Sequence, residues 1–251
     1  MKLTRLEIAR MIDLSAVQAQ DDDDYIRSLV TCAMKYRCVA VIPLPSRVLL
    51  VRELLGDNED IFIGGAVGFP SGGQTTAAKV FEAQEQILMG CREMDMVINI
   101  SKLISGRNEE VLDDIRSVAE TCNGVPLKVI LECHYLTEAQ ILKGCDMCIE
   151  AGATWVKTGT GWAKTGATYE NVSLIKAHVG DAIGVKAAGG VRNLETLLEM
   201  YQRGVRRFGV GLKSGIKILE QAYAVPGGVL DTSLLGREYG NGGHPETDGD
   251  Y

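Results

Sequence analysis

The sequence predicts an α/β protein, a single-domain (β/α)8 TIM barrel, and three observations support this fold class. Short apolar runs of strand length alternate with longer segments of helical period, which is typical of repeated βα units. Eight such runs follow one another along the chain. The length of 251 residues also suits one barrel domain, because barrels of this class commonly have about 250 residues.

The eight predicted strands are apolar runs that contain few charged residues. In chain order they are residues 11–14, 38–42, 61–67, 94–98, 127–132, 154–157, 183–186 and 207–210. Continuous apolar runs indicate parallel strands that are buried on both faces. We therefore expect residues 1–225 to form the barrel. Residues 226–251 are rich in glycine, and we expect this tail to be flexible and to lack regular structure.

The composition favours a soluble enzyme that acts on small molecules. The formal net charge is −7 at pH 7, which argues against a nucleic-acid partner, because such proteins display clustered lysine and arginine. No apolar run reaches the eighteen residues of a membrane span, and the N-terminus has no signal-peptide apolar region. We therefore expect a cytoplasmic protein with no membrane partner, and a homodimer is the assembly to consider.

The cysteines and histidines do not indicate a disulfide framework or a metal site. The chain has seven cysteines, an odd number, and no export signal, so we expect reduced and mostly buried thiols. Cys145 and Cys148 form a CxxC motif, but it lies inside a helical pattern. His134, His178 and His244 lack metal-ligand spacing. We therefore expect no metal.

Two lysines stand at the ends of apolar strands, and they are the candidate catalytic residues. Lys157 precedes Thr158-Gly159-Thr160-Gly161, and Lys186 precedes Ala187-Ala188-Gly189-Gly190. A free lysine has a pKa of about 10.4 and is not nucleophilic at neutral pH. A neighbouring cation and burial can lower this pKa to about 7 to 8, where the amine attacks a carbonyl and forms an imine. The alternative is that these lysines simply reach solvent from strand ends.

Other ionisable residues on the predicted strands should meet the two lysines. Active sites of (β/α)8 barrels lie at the carboxyl ends of the strands, and Asp13, Asp95 and Glu132 stand on the first, fourth and fifth runs. An aspartate beside two lysines can hold one of them protonated, or relay protons through water. The alternative is a set of structural ion pairs that fills the barrel interior.

Five segments between residues 11 and 215 resemble motifs of the deoxyribose-phosphate aldolase family. They are Met11-Ile12-Asp13-Leu14-Ser15, Gly68-Phe69-Pro70-Ser71-Gly72, Glu93-Met94-Asp95-Met96-Val97-Ile98-Asn99, Lys157-Thr158-Gly159-Thr160-Gly161 and Val185-Lys186-Ala187-Ala188-Gly189-Gly190-Val191-Arg192. The last two together are specific, and the first is weak. The resemblance implies a class I aldolase that reversibly cleaves 2-deoxyribose 5-phosphate to acetaldehyde and glyceraldehyde 3-phosphate, with no metal and no organic cofactor.

The same resemblance implies roles for individual residues. It makes Lys157 the imine-forming lysine, Lys186 the cation that lowers its pKa, and Asp95 the proton-relay acid. Tyr251 resembles a terminal tyrosine that closes over the site in some family members and assists proton transfer. The implied substrate contacts are Asp13, Ser15, Thr158, Gly161, Gly189, Gly190 and Gly211.

The chain departs from the family pattern where the phosphate would bind. Gly159 stands where serine is usual, and Gly211 and Leu212 stand where serines are expected after the eighth strand. Backbone amides, Lys213 or Ser214 could still hold an anion there. We therefore expect a weaker preference for phosphorylated substrates. The alternatives are an aldolase for an unphosphorylated or differently charged aldehyde, and a barrel that binds a sugar phosphate without turnover.

Overall fold

A computed structural model describes residues 2–232, and its centre is a closed barrel of eight parallel strands. The barrel strands are β2 (Ile12–Ala16), β3 (Ala40–Pro43), β4 (Phe62–Val67), β5 (Glu93–Val97), β6 (Leu127–Ile130), β7 (Trp155–Lys157), β8 (Gly184–Ala188) and β9 (Arg207–Val210). Each strand pairs with the next along the chain, and β9 closes the barrel against β2. The predicted (β/α)8 fold is confirmed.

Helices surround this barrel and connect its strands. They are α1 (Arg5–Ala9), α2 (Asp23–Tyr36), α3 (Val48–Leu55), α4 (Thr76–Leu88), α5 (Ile100–Ile104), α6 (Asn108–Cys122), α7 (Glu138–Glu150), α8 (Tyr169–Val179), α9 (Leu194–Gln202) and α10 (Leu212–Ala224). Short 3₁₀ turns occur at Pro45–Arg47, Cys133–Tyr135 and Pro226–Gly228. Within residues 2–232, no helix is both long and apolar enough to cross a membrane.

Capping boxes fix the starts of the two helices that flank β7. The hydroxyl of Thr137 accepts from the backbone N–H of Gln140, and the Gln140 side chain accepts from the backbone N–H of Thr137 in return. Thr168 and Asn171 form the same reciprocal pair at α8. These bonds satisfy backbone donors that a helix leaves free in its first turn. They therefore help to fix the strand that carries Lys157 between α7 and α8.

The two faces of the barrel strands have opposite chemistry. Met94 and Met96 on β5 belong to the apolar core, which lies between the strands and the surrounding helices. Glu93 and Asp95, which alternate with them along the strand, are also buried. Successive side chains of a strand point to opposite faces, so the two carboxylates point into the barrel. The barrel interior is therefore charged, and the apolar core surrounds it.

The chain ends of the described region pair with each other outside the barrel. Strand β10 (Val229–Asp231) runs antiparallel to β1 (Lys2–Thr4), and Leu3 lies opposite Leu230 with both side chains buried. The expectation that every residue after Pro226 lacks regular structure is therefore wrong, because burial of these leucines holds a short strand. The rest of the glycine-rich tail, with Tyr251, lies outside the described residues.

Candidate active site

Asp95 lies at the centre of a buried charge network inside the barrel. Its Oδ2 accepts hydrogen bonds from Lys157 Nζ at 2.8 Å and from Lys186 Nζ at 2.7 Å. Its Oδ1 accepts one from Lys128 Nζ at 2.9 Å. These residues come from the consecutive strands β5, β6, β7 and β8. The structure thus brings together Lys157, Lys186 and Asp95, which are three of the residues that the sequence selected, and it adds a third lysine.

Lys128, Glu93 and Arg207 extend this network, although the sequence analysis did not select them. Lys128 Nζ is 2.7 Å from Glu93 Oε1, and Arg207 Nη2 is 2.8 Å from the same Oε1. Lys128 and Arg207 both stand within predicted apolar runs. The signal that selected Lys157, a charge on an otherwise apolar strand, was therefore present for them as well.

Asp13 is part of this network rather than of an open pocket. Its Oδ2 lies 2.6 Å from Lys186 Nζ and its Oδ1 lies 2.5 Å from Arg207 Nη2, and the side chain is fully buried. Burial alone would raise the pKa of Asp13, but Lys186 and Arg207 outweigh it and lower the pKa to about 2. The structure therefore places Asp13 behind Lys186, where it stabilises that ammonium, and not where a substrate contact was expected.

The amine of Lys157 has a pKa lowered to about 8. Burial is the main cause, because it penalises the ammonium form, and repulsion from Lys186 adds to it. Asp95 acts in the opposite direction by stabilising the ammonium. The family resemblance gave this effect to Lys186, whereas burial is the larger cause. With this pKa, about one Lys157 in eleven is the neutral nucleophile at pH 7.

The pKa of Lys186 is shifted the other way, above its ordinary value. Burial alone would lower it, but the carboxylates of Asp13 and Asp95 outweigh burial. The pKa of Asp95 itself lies well below its ordinary value, because three lysines outweigh its own burial. The site therefore holds a permanently charged ammonium, an ionised carboxylate and a partly neutral amine in direct contact.

A formal charge count explains why one amine in the network is easily neutralised. The cationic members are Lys128, Lys157, Lys186 and Arg207, and the carboxylates are Asp13, Glu93 and Asp95. The network has one positive charge in excess, and an uncompensated buried charge is costly. Loss of one proton balances it. Lys157 is the member whose pKa is lowered to about 8, and it is also the least buried of the three lysines.

A cleft of about 500 Å³ opens at the carboxyl ends of β4 to β7, and Glu132, Tyr135 and Trp162 are among the side chains that line it. Glu132 follows β6 with a left-handed backbone, at φ 55°. Its Oε2 accepts hydrogen bonds from the backbone N–H of Thr160, at 3.2 Å, and from the Thr160 hydroxyl. Burial raises the pKa of Glu132. Glu132 thus holds the loop that follows Lys157.

The other expected substrate contacts have different surroundings. Ser15 is buried on β2. The Thr158 hydroxyl donates to the Ala188 carbonyl at 2.9 Å and accepts from the Ala188 N–H at 3.0 Å, so it ties β7 to β8. Gly161 and Gly189 have φ values of 90° and 80°, a region that favours glycine. These two glycines shape the loops, and the Thr158 hydroxyl is already engaged by the backbone.

Gly190 and Gly211, by contrast, line a small pocket between the ends of β8 and β9. Arg192, Lys213 and Ser214 line the same pocket. Gly211 is the N-cap of the 13-residue helix α10, and among the described residues no side chain caps this helix start. The first turn of a helix leaves backbone N–H groups free and carries partial positive charge. With two cationic side chains beside it, the pocket suits a phosphate.

Comparisons with known proteins identify the family of the chain. The model of the DeoC/LacD family aldolases matches residues 8–221. The deoxyribose-phosphate aldolase of Klebsiella pneumoniae is 44% identical over 223 residues, which cover 88% of this chain and 90% of that protein. The deoxyribose-phosphate aldolase of Thermococcus kodakarensis is 41% identical, and the match covers 88% of this chain and 99% of that protein.

A solved structure supports the same relationship. A crystal structure from Coccidioides immitis, described as a deoxyribose-phosphate aldolase, matches with a TM-score of 0.84 and 33% identity. The match covers 89% of this chain and 88% of that one. The chain therefore belongs to the DeoC/LacD family of aldolases.

Proposed function

We propose that this chain reversibly cleaves 2-deoxyribose 5-phosphate to acetaldehyde and glyceraldehyde 3-phosphate through an imine on Lys157. The observation that carries the proposal is the buried amine of Lys157, which has a pKa of about 8 and shares the Asp95 carboxylate with a charged Lys186. The relatives that are named deoxyribose-phosphate aldolases support this choice of substrate.

The proposed reaction begins with the neutral amine of Lys157. Its nitrogen attacks the C1 aldehyde of the open-chain sugar, and loss of water from the adduct gives an iminium ion. The C3 hydroxyl then gives up its proton, and the C2–C3 bond breaks. Glyceraldehyde 3-phosphate leaves, and the electron pair of the broken bond remains on the enamine. Protonation of the enamine carbon and hydrolysis release acetaldehyde and regenerate Lys157.

Asp95 is the proposed proton carrier for these steps, and Lys186 is the cation beside it. Asp95 Oδ2 is within hydrogen-bond distance of both lysine nitrogens, so a proton that leaves one group has an acceptor nearby. The Lys186 ammonium stabilises negative charge that develops on a departing oxygen. In the sugar-cleavage direction, general acid–base help of this kind is needed at dehydration, at bond cleavage and at enamine protonation.

The phosphate group is proposed to bind in the pocket at the start of α10. Backbone N–H groups near Gly190 and Gly211 and the charged side chains of Arg192 and Lys213 would then surround it. This pocket lies at the ends of β8 and β9, and Lys157 ends the neighbouring strand β7. A substrate that spans both positions has its aldehyde and its phosphate at opposite ends, as 2-deoxyribose 5-phosphate does.

Reductive trapping tests the proposal. Protein incubated with acetaldehyde and borohydride should carry one covalent adduct, and peptide mass mapping should locate it on Lys157. Lys79 is the matched internal control, because it is fully buried and pairs with Asp114 at 2.5 Å outside the proposed site. It should remain unlabelled. An adduct on Lys186, or on surface lysines alone, would contradict the assignment, as would full activity of Lys157→Ala.

We also propose that the chain forms a homodimer. Leu49 on α3 and Phe81 and Leu88 on α4 are large apolar side chains exposed to solvent, and exposed apolar surface of this kind often marks a protein interface. Light scattering should give twice the 27.1 kDa of one chain. Phe81→Glu with Leu88→Glu should give a monomer. A monomer or a tetramer for the unaltered chain would contradict the proposal.

The proposed location is the cytoplasm. All seven cysteines lie in the described part of the chain, and they are buried and unpaired, as is typical of proteins in a reducing compartment. Cell fractionation should recover the protein with cytosolic markers, and recovery in a secreted fraction would contradict this location.

A further inference from the structure

Lys128 is the third lysine that contacts Asp95, and the proposed reaction does not use it. Its Nζ lies 2.9 Å from Asp95 Oδ1 and 2.7 Å from Glu93 Oε1. The side chain is fully buried, and both of these contacts are to carboxylates of the network. Buried ion pairs contribute little net stability compared with well-packed apolar side chains. Stability alone therefore does not explain a lysine at this position.

We propose that Lys128 is a positioning residue that fixes the Asp95 carboxylate and keeps Lys157 partly neutral. The inference rests on the proposed function, because the charge of Lys157 matters only if this amine forms the imine. No feature of the sequence alone indicates the role, since it depends on which strands are neighbours in the barrel.

The geometry supports the first part of this role, which is to fix the Asp95 carboxylate. Lys128 occupies one oxygen of Asp95, and Lys157 and Lys186 share the other. The carboxylate therefore presents Oδ2 to both lysines of the site. Without Lys128, rotation of the Asp95 side chain would let its two oxygens bind Lys157 and Lys186 separately. The shared contact, which allows a proton to pass between the two amines, would then be lost.

The charge count supports the second part of this role, which is to keep Lys157 partly neutral. With Lys128 the network has four cationic groups and three carboxylates, so a proton on Lys157 is in excess. Without Lys128, three cations and three carboxylates balance while Lys157 is an ammonium. Lys128 also repels the Lys157 ammonium directly. The ionisable groups that face Lys157 or its partners are Asp13 on β2, Glu93 and Asp95 on β5, Lys128 on β6, Lys186 on β8 and Arg207 on β9. Glu132 after β6 also faces Lys157, but it bonds Thr160 instead of the network cations, and burial raises its pKa.

The test is the pH dependence of Lys157 trapping by acetaldehyde and borohydride reagent in the full-length protein. Lys128→Gln removes the charge but keeps hydrogen-bond donors for Glu93 and Asp95, and Lys128→Met removes both. In each variant the midpoint of the trapping profile should rise by at least about one pH unit above that of the unaltered protein. The trapping rate at pH 7 should then fall about tenfold and recover at high pH. Lys128→Arg keeps the charge and should keep the original midpoint.

A merely structural role predicts a different result. It lowers the trapping rate at every pH and leaves the midpoint in place. Lys79→Met is the matched control for such damage, because it leaves Asp114 as a buried carboxylate without its lysine and lies outside the network. Its midpoint should not move.

Three results would overturn the inference. The first is an unchanged midpoint in the folded Lys128→Gln protein, and the second is an equal rise in Lys128→Arg. The third is the absence of a Lys157 adduct in the unaltered chain. That third result rejects the proposed function, and the inference is rejected with it. The first two results reject the inference alone, so the two kinds of failure are distinguishable.

Discussion

Replacing Asp95 with asparagine should separate the protonation state of Lys157 from turnover. The Asp95 carboxylate lies 2.8 Å from Lys157 Nζ and is the strongest influence that keeps this amine protonated. Asparagine has nearly the same shape but carries no charge. In Asp95→Asn the remaining neighbours Lys186 and Lys128 both repel the Lys157 ammonium. The pKa of Lys157 should therefore fall below about 8, and the trapping profile should move to lower pH.

The size of the expected pKa shift follows from the direct contact between Asp95 and Lys157. A contacting opposite charge shifts a pKa by about 1 to 3 units, so the pKa of Lys157 should fall to about 7 or below. The neutral fraction at pH 7 then rises from about one in eleven to at least about one half, and the midpoint of the trapping profile should fall by at least about one pH unit. Turnover should fall about 100- to 10,000-fold in the same variant, because the general acid–base group is lost.

Two assays on one preparation check this prediction. Acetaldehyde trapping at pH 6 to 8 measures imine formation, and cleavage of 2-deoxyribose 5-phosphate measures turnover. Removal of a buried partner can destabilise a protein by about 3 to 5 kcal/mol, so circular dichroism must first establish that the variant is folded. If the midpoint of the trapping profile stayed in place or rose in folded protein, the electrostatic account of Lys157 would be refuted.

Three further predictions concern stability, substrate preference and thiol reactivity. Burial lowers the pKa of Lys157 from 10.5 to about 8, so holding this side chain as an ammonium costs folding free energy. This cost is complete below about pH 8 and disappears above about pH 10.5, where the amine is neutral in both the folded and the unfolded state. Lys157→Met should thus raise the free energy of unfolding by about 3 kcal/mol at pH 7, and denaturant titrations should show this gain vanishing as the pH rises through that window. The double substitution of Lys213→Met and Ser214→Ala should lower kcat/KM for 2-deoxyribose 5-phosphate about 30- to 1000-fold and leave kcat/KM for unphosphorylated 2-deoxyribose unchanged. Equal losses for the two sugars would show that the phosphate does not bind in this pocket. Burial raises the pKa of Cys32 to about 11 and the other six cysteines are buried as well, so iodoacetamide at pH 8 should label the cysteines only after unfolding, as mass spectrometry would show.

The barrel was predictable because its signal is local in sequence. Apolar runs that alternate with helical periods indicate βα units wherever they occur, and each of the eight runs overlaps a barrel strand. Boundaries were less accurate. The fifth run was extended to Glu132, but β6 ends at Ile130 and Glu132 adopts a left-handed backbone. The β1–β10 pair was missed because each strand offers one buried leucine, Leu3 or Leu230, which is too little for a recognisable pattern.

The site was predictable where a charged residue stands in an apolar run. Lys157 ends β7 as expected, but the expectation that Lys186 ends its strand is wrong, because β8 continues to Ala188. Lys157 and Lys186 stood out because each precedes a glycine-rich turn, and Asp95 stood out within an apolar run. Lys128 and Arg207 carry a comparable signal, but their meaning depends on strand register. Asp95 lies opposite Lys128, and Lys186 lies opposite Arg207. Register is a property of the folded sheet, and the partners are 33 and 21 residues apart in sequence, so the sequence does not identify which carboxylate each cation binds.

The opposite signs of two predicted pH shifts constrain the site more strongly than either shift alone. Asp95→Asn removes a negative charge and should move Lys157 trapping to lower pH, whereas Lys128→Gln removes a positive charge and should move it to higher pH. Both substitutions alter the same buried hydrogen bond, which Lys128 Nζ donates to Asp95 Oδ1. Loss of packing or of local order would affect the two variants in the same direction. Shifts in opposite directions require that the protonation of Lys157 responds to the charges of both neighbours, so a shared direction would contradict the charge count.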